Sequence, residues 1–179
     1  MTSTAEPAQP SPLLLRAGRT VFWWGAGGLA AVVLGTLPRL PAVVASHFGG
    51  SGAANGWSSR TAYVTLLLVI GILLPAGVIG MVHGITAGRP ELLNVPSREY
   101  WMEPSRRGQT VWRVRAYIWW LGVILTGTSI AVHLAVLGAN AARPPHLSPA
   151  VIVPILIAIV TAVGGWVVGW YRVFRPPGA

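Results

Sequence analysis

Four apolar runs, Thr20–Leu37, Ala62–Ala87, Ala116–Leu137 and Ala150–Tyr171, constrain this chain more tightly than anything else in it. A helix rises 1.5 Å per residue, so the shortest run reaches about 27 Å and the others about 33–39 Å, against a hydrocarbon core of ~30 Å. Inside hydrocarbon every backbone N–H and C=O needs a partner within the protein, which a helix supplies from its own segment. Only 9% of the residues are charged, against about 25% in a soluble domain, too few to cover a water-facing surface. The expected fold is all-α: a polytopic integral membrane protein with four transmembrane helices.

Charge sets the expected orientation. All thirteen basic residues are Arg and all four acidic ones are Glu, giving a formal net charge of +9. In a soluble protein that excess would suit nucleic acid. Here the arginines flank apolar runs, which is the pattern of membrane topology and anionic headgroups, so lipid is the expected partner and nucleic acid is not. Ten of the thirteen lie before the first run, between the second and third, or after the fourth. By the positive-inside rule both termini face the cytoplasm, N-in and C-in, and seven of the nine tryptophans fall near the same boundary. A signal peptide competes for the first run, with Arg16 and Arg19 as its basic region. The run is longer than a signal core, so an uncleaved anchor is expected.

The chain then divides as follows. Residues 1–18, rich in Pro, Ser, Ala and Thr, read as a disordered cytoplasmic tail. Residues 19–87 form a two-helix membrane unit whose external loop is 38–61. Residues 88–115 form an Arg-rich cytoplasmic loop, 116–171 a second helix pair, and 172–179 a short tail. Pro75 predicts a kink near Gly71 in the second helix, while Pro149 and Pro154 sit near the start of the fourth, where proline costs least.

The external loop holds more chemistry than a plain connector requires. Pro38 and Pro41 impose extended geometry on the residues before them, and Asn55-Gly56 is a turn signal. Between and after them stand His47, Phe48, Trp57 and Arg60. The loop is expected to fold back on the membrane surface, with Phe48 and Trp57 dipping into the interface and His47 and Arg60 available to a ligand. The competing reading is a loop whose glycines close a turn and whose Trp anchors the headgroup region.

This run of residues, from Leu37-Pro38 through His47-Phe48 and Gly52 to Asn55-Gly56-Trp57 and Arg60, resembles the bacterial membrane domain known as domain of unknown function 1648. That domain also stands at the front of SdpI-type immunity proteins. The family pattern has Asp where this chain has Asn55, and Lys where it has Arg60; the first change removes a carboxylate and the second keeps the charge. The resemblance covers about Thr20 to Ala87, and the stretch from Asn94 to Trp101, with Pro104 and Arg106-Arg107, is similar to a segment common in relatives. It implies a multi-pass protein of the bacterial cytoplasmic membrane. SdpI-type members imply immunity to a secreted peptide toxin, coupled to signalling through capture of a cytoplasmic repressor. The function expected is therefore non-enzymatic binding of a peptide or envelope ligand through the external loop. The alternative is a structural accessory subunit of a larger membrane complex.

Inside, Tyr100, Trp101, Arg106, Arg107 and Arg113 are candidates for a protein partner or anionic lipid; the plainer reading is positive-inside charge with exposed Arg–Glu pairs. His47, His133 and His146 map to the outer side and are the only residues there with metal-ligating chemistry, but no H-x-x-x-H or H-E-x-x-H spacing exists, so no metal is expected. There is no Cys and no Asp, which removes disulfides and thiolate nucleophiles, and no carboxylate lies mid-membrane. Neither an enzyme nor a cofactor is expected. Gly80-x-x-x-Gly84 and Gly165-x-x-x-Gly169 suit close helix approach, and Thr126, Thr128 and Ser129 suit interhelical hydrogen bonds, within one copy or a homo-oligomer.

Overall fold

A computed structural model describes residues 12–178. Four helices are long and apolar enough to cross a membrane: α1 (Pro12–Thr36), α2 (Arg60–Gly88), α4 (Arg107–Ala141) and α5 (Pro149–Val173). A short helix, α3 (Arg98–Trp101), precedes α4, and strands β1 (Val43–Phe48) and β2 (Ala54–Ser59) form an antiparallel hairpin between α1 and α2. The protein is an all-α multi-pass membrane protein capped by this hairpin. The long α4 is the hub, packing against α1, α2 and α5 and reaching β1.

Helix association in lipid gains little from the hydrophobic effect and depends on close contact and interhelical hydrogen bonds. α1 buries Phe22, Ala26, Leu29 and Val33, one residue per turn, while Trp23, Trp24 and Leu34 face outward. α2 buries Tyr63, Leu67, Gly71, Pro75 and Ile79 at a constant spacing of four. Its middle, Val69–Leu73, is a π-helical turn that ends two residues before Pro75. Proline has no N–H to offer the carbonyl four residues back, and its ring crowds that carbonyl. That carbonyl belongs to Gly71, and Thr126 Oγ1 of α4 donates to it at 2.7 Å. A Cβ at Gly71 would run into Leu29 of α1 and Ser129 of α4, so the absent side chain lets three helices meet. The irregularity expected near Gly71 is therefore a built junction between helices.

Of the four glycines expected at close helix approaches, only Gly169 makes one within the fold. Gly80, Gly84 and Gly165 face open space, whereas Gly71, Gly122 and Gly169 sit against neighbouring side chains. Two boundaries also shift. α1 begins at Pro12, so residues 12–18 of the segment read as a tail are helical, and residues 1–11 of that tail lie outside the described residues. α4 begins at Arg107, inside the segment read as a loop. Hydropathy marks the part of a helix that sits in hydrocarbon, and arginine is a good helix former that carries the helix on beyond it.

Candidate functional site: the hairpin end of the bundle

The segment 38–61 is a folded cap, and most of its distinctive residues build it. Leu37–Arg39 forms a 3-10 turn containing Pro38, after which Leu40 is buried. Strand pairing runs Val43↔Ser59, Val44↔Ser58 and Ala45↔Trp57, then shifts register to His47↔Gly56 and shifts again to Phe48↔Ala54. Val44 and Ala45 are fully buried on the bundle. Phe48, expected at the membrane interface, is half-buried against the core cluster of Leu29, Val33, Leu40, Val44 and Tyr63. On β2 burial alternates, leaving Asn55, Trp57 and Ser59 outward.

At the base of the hairpin, Arg60 donates its backbone N–H to Ala42 O at 2.9 Å and its Nε–H to Pro41 O at 3.3 Å. Ser59 caps α2 by accepting from Ala62 N. Arg60 thus helps to close the hairpin through its backbone N–H and its Nε–H. At the tip, Gly52 has φ +84° and is buried. A Cβ there would meet Leu147 O and the His146 ring, and Gly52 O accepts from Leu147 N at 2.8 Å. Ala53 and His146 form a single β-bridge, so the α4–α5 connection stitches the tip down.

The strongest fastening comes from Asn140, near the end of α4. Its Oδ1 accepts from Ala45 N at 2.8 Å, and its Nδ2 donates to Ala45 O and Val136 O, each at 2.9 Å. One side-chain amide therefore serves β1 as a neighbouring strand would. Below it lies His133, fully buried. Thr36 Oγ1 donates to Val32 O at 2.7 Å and stands 2.8 Å from His133 Nε2, so it accepts the Nε2–H. His133 Nδ1 is then the acceptor for the Tyr63 hydroxyl at 3.1 Å. A neutral imidazole ties α1, α2 and α4 together beneath the hairpin.

The three histidines expected on the outer side consequently have separate settings. His133 has both ring nitrogens engaged within the bundle, His146 lies against Gly52, and His47 Nδ1 donates to Asn55 Oδ1 at 2.8 Å on the exposed side. Among the described residues no three His, Cys, Asp or Glu side chains gather as metal ligands. What remains presented outward is Trp57, 58% exposed, beside the His47–Asn55 pair and the exposed Val43. Asn140, Thr36 and Tyr63 were not singled out from sequence. A polar residue at the end of an apolar run, as Asn140 is, was the available signal.

At the opposite, arginine-rich end, the candidate docking residues are largely engaged within the fold. Trp101 is 2% exposed and donates its indole N–H to Phe174 O at 2.6 Å. Arg113 Nη1 donates to Val173 O at 2.7 Å, with its guanidinium 4.4 Å over the Trp101 ring. Together they satisfy carbonyls at the C-terminus of α5, which a helix cannot pair internally. Arg106 donates Nε–H to Tyr100 O at 2.9 Å, lies over the Tyr100 ring and pairs with Glu103. Arg107 is exposed.

No curated protein and no solved structure matches the chain. One family model does, over residues 22–73, a stretch that runs from the buried Phe22 of α1 through the whole hairpin to the end of the π turn in α2. That match supports for this stretch the family described as Domain of unknown function (DUF1648).

Proposed function

We propose that the protein is a non-enzymatic membrane protein of SdpI-like type, in the bacterial cytoplasmic membrane with both termini inside. It binds a peptide or another envelope ligand on the outward face of its hairpin, in an immunity or signalling role. The observation that carries this reading is Trp57, 58% exposed on a hairpin fastened underneath by Asn140 and at its tip by Leu147. An exposed tryptophan on a preorganised element is a favoured binding anchor, because little entropy is lost when it is covered. The His47–Asn55 pair beside it supplies polar groups to orient a ligand. The excess of arginine at the other end supports the orientation.

The test is protection of a susceptible bacterial host against a secreted peptide toxin. Trp57→Ala and His47→Ala should each abolish protection while the protein still inserts at the normal level. Full protection by both variants would sink the reading. A second reading, an accessory subunit of a larger assembly, draws on α5, which exposes Val151, Leu156, Ile157 and Val160 along its length. Migration as a lone small protein after purification in mild detergent would count against it.

A further inference from the structure

The arginine-rich end carries a groove that the hairpin reading does not use. It has a volume of about 430 Å³ and lies between α1, α2 and α4, lined by Arg16, Arg19, His83, Trp112, Arg115 and Trp119. Three arginines from two helices line one space. Among the described residues the one ion pair is Arg106–Glu103, so none of these three has a carboxylate partner there.

Arg115 is held in place. Thr86 Oγ1 donates to Val82 O and accepts from Arg115 Nε at 2.6 Å, and Arg115 Nη2 donates to His83 O at 3.2 Å. Two of its five N–H donors are thereby used, and three are left for something else. His83 donates Nδ1–H to Ile79 O at 2.8 Å and sets its ring edge-on to Trp119. Arg16 and Arg19 stand one turn apart on α1, both exposed. An oriented guanidinium, two adjacent cations and two indoles make a site for a tetrahedral anion at the level where tryptophans meet headgroups.

We propose that this groove binds a phosphate-bearing anion, whether carried on an anionic phospholipid or free in solution. Basic pockets between transmembrane helices hold lipid phosphates by this combination of charge and directed N–H donors.

Native mass spectrometry of the full-length protein, titrated with phosphatidylglycerol and separately with phosphatidylcholine, reads the site directly. Phosphatidylglycerol should bind more tightly than phosphatidylcholine. The Arg16→Gln/Arg19→Gln variant should lose roughly 30-fold in apparent affinity, from about fivefold per arginine. Arg172→Gln/Arg175→Gln removes the same charge from exposed positions at the same end, and should stay within about twofold of wild type. Competition by excess inorganic phosphate would assign the site to a free anion, and failure to compete would assign it to lipid. Equal binding of the two lipids without phosphate binding, or equal losses in both double variants, would overturn the proposal. The wild-type lipid comparison holds even if a variant folds poorly.

Discussion

Replacing Asn140 with alanine removes the fastening between α4 and the hairpin while leaving both elements intact. Two of its hydrogen bonds go to the fully buried Ala45, one to the N–H and one to the C=O. The third goes to Val136 O, a carbonyl already serving the helix, and contributes little. Each lost bond to Ala45 costs about 1–2 kcal/mol, because its buried partner loses its only replacement for water. The hairpin should therefore open more easily by about 2–4 kcal/mol, without unfolding of the bundle. Amide hydrogen exchange in nanodiscs reads this locally: protection at Ala45 and along β1 should fall by about 30- to 1,000-fold, with α4 below His133 unchanged. Protection in Asn140→Ala within threefold of wild type would refute the claim that this side chain holds the cap.

Four further outcomes follow from the packing. Gly71→Ala places a methyl against Leu29 and Ser129 and should cost about 1–3 kcal/mol, seen as earlier loss of monodisperse protein on heating in detergent; a neutral result would contradict the close approach. Thr126→Val, nearly isosteric, leaves Gly71 O without its donor and should cost about 1 kcal/mol in the same assay. Trp101→Phe removes the indole N–H from Phe174 O, so trypsin should cut after Arg172 about 5- to 30-fold faster; a change below twofold would mean that the cap does not hold the C-terminus of α5. Tyr63→Phe keeps the ring against His133 and deletes one hydrogen bond, costing about 1 kcal/mol by thermal challenge, whereas His133→Ala should cost several times more because it severs ties to two helices.

How much of this was legible in advance differs between the helices and the cap. A bilayer-spanning helix is a local object, satisfied by its own backbone, so Thr20–Leu37 and its three counterparts announced four spans through length and hydropathy alone. The hairpin is hard to see in the sequence because its strands are short and uneven in pattern, with three glycines gathered at the tip, and because some of the groups that fasten it lie far along the chain. Asn140 is 95 residues from Ala45, and Leu147 lies equally far from Gly52. His133 shows the same limit. From sequence it was a metal candidate among three outer histidines, and only the meeting of Thr36 and Tyr63 at its two ring nitrogens makes it a brace.

What the chain determines by itself is therefore the solvent it needs and the number of times it crosses that solvent, together with the placing of ten arginines toward one end. Those properties are sums over neighbouring residues. The tertiary structure alone decided how these groups are placed: Arg60, Trp101, Arg113 and Arg115 are drawn into hydrogen bonds within the fold, while Trp57 at one end and Arg16 and Arg19 at the other stay exposed. A polar side chain in or beside hydrocarbon binds the first partner that geometry brings within reach. Which partner arrives first is set by how the helices pack.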